Sequence, residues 1–213
     1  MFEVKKIGEA ELKVCDKVCR LPIVEGTEGE RAIEITKLRA ETGCITLDYG
    51  YMSTGACKSA ITYLDGEKGI LRYRGYPVEL LAEKCRFTEV SYLLVHGRFP
   101  SRDEASQFSK LLNQHSMIHE DMVGFFRNFP EGAHPMAMLS AMVVSLSSFY
   151  PELGQSSLQE NIDMATTRIL SKVRTIAAFS YKKSIGEPCV YPRHDLRYCA
   201  NFLNMMFSSP VNP

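Results

Sequence analysis

The chain has 213 residues, 45% of them hydrophobic and 23% charged, with 25 basic and 25 acidic side chains. That length suffices for one large or two small domains, and the composition is that of an ordinary soluble globular protein. The even charge balance gives no support for nucleic acid or an anionic membrane as the main partner, and there is no basic-then-apolar leader and no apolar run of about 20 residues.

The first seventy-odd residues favour strands. Phe2-Glu3-Val4 begins one, Ala32-Ile33-Glu34-Ile35 alternates with a two-residue period, and Cys44-Ile45-Thr46-Leu47-Asp48 repeats that pattern. Gly26, Gly29, Gly43, Gly50 and Gly55 punctuate the region with turns. Ile61-Thr62-Tyr63-Leu64 and Ile70-Leu71-Arg72-Tyr73 flank a glycine-bearing loop and predict a hairpin, ended by Gly75-Tyr76-Pro77. Arg72 and Arg74 beside Tyr73 fit either a nucleotide-phosphate contact or an edge strand with solvated cations.

After Pro77 the pattern turns helical. Val78–Glu83 is a short turn, and Thr88 caps a helix that stops at Gly97. Ser101-Arg102-Asp103-Glu104 is a capping box, opening a helix with Phe108, Leu111, Leu112 and His115 on one face. A further helix runs from Glu120 to Phe129, before Pro130. His134–Tyr150 is apolar on nearly all sides, so it needs cover all round, and Ala137, Ser140, Ala141 and Ser145 would let a neighbouring helix approach closely. Ser157-Leu158-Gln159-Glu160 is a second capping box, opening a run to about Ser184 that Gly186-Glu187-Pro188 closes; Asp195–Phe207 is the last helix. The chain ends at Pro213, just after its most apolar helices. Their buried faces need more polypeptide than remains, which predicts the first part of something larger.

The seven cysteines (Cys15, Cys19, Cys44, Cys57, Cys85, Cys189, Cys199) are scattered and odd in number. They predict reduced thiols in a cytoplasmic protein rather than a disulfide framework. Cys15 and Cys19 have no second ligand pair at zinc-finger spacing, and no metal is assigned.

Several motifs together resemble one family. Gly69-Ile70-Leu71-Arg72-Tyr73-Arg74-Gly75-Tyr76-Pro77 is similar to a segment of citrate synthases, as is His134-Pro135-Met136 opening an apolar helix. Arg168-Ile169-Leu170-Ser171-Lys172, Ser184-Ile185-Gly186-Glu187-Pro188 and the stretch from Val190 to Phe207 follow in the same order. The strand-rich start is similar to the bacterial-type, hexameric branch. The resemblance implies a mainly α fold, a citrate synthase-like helical large domain preceded by a small N-terminal β-rich region. Residues 1–76 would be the β-rich region and 77–213 the first part of the large domain.

The resemblance further implies an acyltransferase of the tricarboxylic acid cycle, a homodimer or hexamer, that condenses acetyl-CoA with oxaloacetate and hydrolyses the citryl-CoA intermediate; 2-methylcitrate synthases share much of the pattern. An aspartate and a histidine enolise the acetyl group, a second histidine polarises the oxaloacetate carbonyl, and arginines hold its carboxylates. The five histidines here (His96, His115, His119, His134, His194) match none of the family's catalytic ones. No catalytic residue is assigned, and the chain alone is expected to be inactive; the alternative reading is a non-catalytic oligomerisation or regulatory fragment. No tightly bound cofactor is expected.

His115 and His119 are four residues apart and would share a helical face, which suits a metal weakly, an exposed face, or a role in ligand binding. In hexameric family members that NADH inhibits, the resemblance places the nucleotide at His115, Ser116, Met117, Tyr150, Arg168 and Lys172. Gln114 stands where that pattern has an arginine, and Val211 where it has a cysteine. The helices His134–Tyr150 and Ser157–Ser184 would pair two subunits, so Met142→Lys is expected to disperse the dimer.

Overall fold

The computed structural model describes residues 5–151 and 159–209. The expected strand at Phe2-Glu3-Val4, the Ser157 end of the second capping box, and Val211 lie outside the described residues. The chain forms two compact units, residues 1–71 and 72–213.

The first unit is built on a hairpin absent from the sequence reading. Strands β1 (Lys5–Val14) and β2 (Lys17–Glu25) pair antiparallel from Lys5 opposite Glu25 to Val14 opposite Lys17. The short strand β3 (Arg31–Ile33) pairs along the other side of β2. Cys19 and Leu21 alternate inward on β2 and are buried with Leu38 of helix α1 (Leu38–Thr42). The Cys19 thiol donates to the Glu41 carboxylate at 2.8 Å, and that contact, with burial, pushes its pKa up.

Residues 44–48 do not form the expected strand. Ile45 and Leu47 are 71% and 76% exposed, so the alternating pattern has no sheet to join. Asp48 instead closes a turn. Its carboxylate accepts the backbone N–H groups of Met52 and Ser53 and the Thr54 hydroxyl, which hold its pKa below the usual carboxylate value.

The expected hairpin at 61–73 is present as β4 (Thr62–Asp65) and β5 (Ile70–Tyr73), and β6 (Tyr76–Pro77) extends the sheet in the order β4-β5-β6. Between Tyr73 and Tyr76 the chain turns on two residues of positive φ, Arg74 and Gly75, which is the geometry a tight two-residue hairpin requires. Arg74 is not a solvated edge cation: its guanidinium donates to the Leu94 carbonyl at 2.6 Å.

The second unit is helical: α2 (Val78–Lys84), α3 (Phe87–His96), α4 (Arg102–Gln114), α5 (Glu120–Asn128), α6 (Pro135–Phe149), α7 (Gln159–Ser184) and α8 (Tyr198–Phe207). The Ser101–Glu104 box caps α4 as expected, with its hydroxyl accepting the Glu104 N–H and the Glu104 carboxylate accepting the Ser101 N–H. Helix α3 begins earlier than Thr88, because Glu89 reaches back to the Arg86 N–H at 2.7 Å. Helix α8 begins at Tyr198 rather than Asp195, whose carboxylate is held by the Arg193 guanidinium.

Helix α7 lies at the centre of this unit. One core packs Ile176 and Phe179 of α7 against Met122, Val123 and Phe126 of α5 and Met142 and Leu146 of α6. A second joins Tyr92, Phe108 and Leu112, with Leu170 and Tyr198 packed against it. Lys182, fully buried near the end of α7, donates to the Ser208 carbonyl at 2.7 Å and pairs with Glu187.

Helix α6 departs from the expectation of cover on all sides. Met138, Met142 and Leu146 face the unit's own core, whereas Met136 and Val144 are 61% and 71% exposed. Ser140 and Ala141 are exposed with them. Met142 is therefore a core residue, and Met142→Lys would test folding rather than assembly.

Candidate functional site

Helix α4 ends at Gln114, and His115 through His119 form the link to α5. His115 and His119 therefore share no helical face. His115 is the C-terminal cap of α4, its N–H donating to the Leu111 carbonyl, whereas His119 caps α5 by accepting the Asp121 N–H. Among the described residues no group of three or more His, Cys, Asp or Glu is placed to hold a metal ion.

The link is fastened to the middle of α7. Lys172, 4% exposed, donates to the Met117 carbonyl at 2.6 Å and to the His115 carbonyl at 3.3 Å. Its ammonium also lies 4.2 Å from the centroid of the Tyr150 ring, a cation–π contact at the end of α6. The buried Ser116 hydroxyl donates to the Asn113 carbonyl, and the Ser116 carbonyl accepts the Thr175 hydroxyl at 2.7 Å. Arg168 sits one turn before Lys172 on α7 and acts on His115 by charge. Burial first, then the two cations Arg168 and Lys172, hold the His115 imidazole below its ordinary pKa.

The fold thus gathers His115, Ser116, Met117, Tyr150 and Lys172 by direct contact, and Arg168 through its field on His115. The sequence reading missed Thr175, although Arg168, Lys172 and Thr175 are spaced four and three apart, which is one face of a helix. Chemically the cluster offers two cations, an imidazole with a lowered pKa and an aromatic face, a set suited to a phosphate-bearing ligand with a flat ring.

Residues 50–213 match the family described as "Citrate synthase, C-terminal domain". The chain belongs to the citrate synthase family. Among solved structures it is similar to the citrate synthase of Pyrobaculum aerophilum, at 29% identity over 99% of this chain and 48% of that one, with a TM-score of 0.67. The citrate synthase of Thermotoga maritima MSB8 matches at 31% identity over 76% of this chain and 42% of that one, with a TM-score of 0.64. The Thermoplasma acidophilum citrate synthase, solved as a ternary complex with carboxymethyl coenzyme A and oxaloacetate, shares the fold at 23% identity and a TM-score of 0.67, over 77% of this chain and 43% of that one. The chain spans less than half the length of these citrate synthases.

The helical half of the expected fold is thus a citrate synthase-like one. Among the described residues no helix is long and apolar enough to cross a membrane.

Proposed function

We propose that this chain is part of a cytoplasmic citrate synthase of the tricarboxylic acid cycle, an acyltransferase that joins oxaloacetate to acetyl-CoA and releases citrate and CoA. Membership of the family over residues 50–213 is the observation that carries the reading. In that reaction a carboxylate removes a proton from the acetyl methyl group, the enol attacks the oxaloacetate ketone, and water cleaves the resulting thioester. None of the five histidines here matches the family's acid–base residues, so the segment supplies scaffold and subunit interface. The outward face of α6, with Met136 and Val144 exposed beside Ser140 and Ala141, supports a homodimer or hexamer built on that helix.

The cluster at His115, Ser116, Met117, Tyr150, Arg168 and Lys172 is proposed as an allosteric NADH site, with Arg168 and Lys172 one turn apart to hold the pyrophosphate. Lys172 is engaged with two carbonyls, so a bound phosphate would compete for it. Gln114 in place of an arginine should weaken binding by about 1–3 kcal/mol, the worth of a charge-assisted hydrogen bond.

Assay of the intact polypeptide containing this chain tests the reaction. With oxaloacetate, acetyl-CoA should release CoA thiol faster than propionyl-CoA. The reverse order would favour a 2-methylcitrate synthase, and no release with either would favour a non-catalytic oligomerisation or regulatory piece. That last reading has the unmatched histidines in its support. Titration with NADH tests the allosteric site, and no binding near millimolar concentration removes it.

A further inference from the structure

Strand β1 is an edge. Its sheet runs β1-β2-β3, and among the described residues no strand pairs along the far side of β1. Alternate backbone N–H and C=O groups of Lys5–Val14 therefore point away from the sheet with no strand to receive them. The strand lies outside residues 50–213, the segment that matches the family.

Past a bulge between Lys6 and Gly8, the pairing with β2 is regular up to Val14 opposite Lys17. Directly opposed residues share a face, so Ala10 and Leu12, opposite Leu21 and Cys19, lie on the side that holds the small core with Leu38. Val14 follows on the same face. Leu12 is nevertheless 39% exposed. Glu11 and Lys13 point to the other face, opposite Arg20 and Val18. Glu11 meets Arg20 at 3.7 Å, whereas the exposed Lys13 forms no ion pair among the described residues.

Charges on an edge strand usually repel an added strand. Here they carry both signs, and in one register they complement a second copy of themselves. Two β1 strands placed antiparallel about a two-fold axis, with Leu12 opposite Leu12 of the second copy, set Ala10 opposite Val14 and Glu11 opposite Lys13, each twice over. Every opposed pair from Ala10 to Val14 is then apolar with apolar or acid with base. Neighbouring registers fail, because they set Glu11 opposite Glu11, Glu9 opposite Glu11, or Lys13 opposite Lys13. The favoured register gives Lys13 the carboxylate it lacks. It stops at Cys15, whose positive φ turns the chain out of the strand.

We propose that β1 is a self-association edge, at which two copies of the chain join across Ala10–Val14 into one continuous sheet, β3-β2-β1-β1-β2-β3. The contact is separate from the α6 face. It is also short, so it acts at high protein concentration or beside a second interface. Sedimentation velocity of the intact polypeptide carrying Val144→Lys, at about 5–500 μM, reads it apart from the contact proposed on α6. Association should rise with concentration. Lys13→Glu should weaken it by about tenfold or more, since two attractions become repulsions, and adding Glu11→Lys should restore it. That restoration also excludes misfolding as the cause of the loss. Hydrogen exchange at Ala10–Val14 should slow as the concentration rises in the parent and the double variant, but not in Lys13→Glu. If Val144→Lys assembles as the wild type does, the α6 reading fails, and the Lys13 and Glu11 variants still decide this one. Unchanged association in Lys13→Glu, no restoration by Glu11→Lys, or exchange at Ala10–Val14 that ignores concentration overturns the proposal. Restoration by Glu9→Lys in place of Glu11→Lys overturns the register.

Discussion

The Lys172 ammonium packs against the face of the Tyr150 ring, 4.2 Å from its centroid, and so ties the end of α6 to the middle of α7. The same ammonium holds the link between α4 and α5 through two backbone carbonyls. One side chain thereby fastens three segments of the helical unit. Lys172→Met keeps the length of the side chain but removes its donors. It should lower stability by about 1–3 kcal/mol, because the carbonyls of His115 and Met117 lose the donor that satisfies them. Denaturant unfolding of the wild type and variant measures this, and NADH titration of the same variant should show weakened binding.

His115 gives that cluster a pH dependence. Its folded pKa is depressed from an ordinary value of 6.5, so the unfolded chain takes up a proton at a pH where the folded one does not. The stability that a neutral His115 contributes is fully present above the unfolded pKa and is lost as the pH falls below it. The melting temperature should therefore drop between about pH 7.5 and about pH 5.5, and His115→Gln should flatten part of that drop. An unchanged slope in the variant would show that other groups set the dependence.

The two faces of α6 separate folding from assembly. Met142 is 1% exposed and packed in the core, whereas Val144 is 71% exposed. Met142→Lys should unfold the helical unit, since an unpaired ammonium is costly to bury. Val144→Lys should preserve the helical circular dichroism signal and disperse the proposed dimer in sedimentation. A Val144→Lys protein that sediments as the wild type would place the interface elsewhere.

Lys182 fastens the end of α7 to Ser208, the residue that caps the end of α8, and pairs with Glu187 just beyond α7. Glu187→Ala leaves the buried ammonium with the Ser208 carbonyl alone among the acceptors described above. Stability should fall by about 3 kcal/mol, the lower end of the range for an orphaned buried charge, since the Glu187 side chain is itself 44% exposed and partly screened. Lys182→Met should be milder, because it removes the charge along with its partner's role. Thermal melts of both variants rank the two effects.

Much of the helical unit was legible because its punctuation is local. Ser101 with Glu104, Pro135 after His134 and Gly97 each act within one turn, and each marks an element end where expected. The β1–β2 hairpin went unread; its second strand carries Pro22, a residue uncommon inside sheets, which sits just beyond the pairing with β3, where its carbonyl accepts the Glu34 N–H. Residues 44–48 erred in the opposite direction, since alternation records a face without saying whether a sheet exists to receive it. The candidate site was legible through resemblance in its six residues, but not in its wiring. That Lys172 meets backbone carbonyls 55 and 57 residues away is a matter of tertiary packing that no spacing encodes.

On the proposed function these 213 residues are scaffold, and the acid–base groups of the condensation are not among them. Its most direct test is release of CoA thiol from acetyl-CoA and oxaloacetate by the purified 213-residue chain, alongside a circular dichroism check that it is folded. The isolated chain should be helical and show no turnover above background. Sustained thiol release by the isolated chain would contradict it.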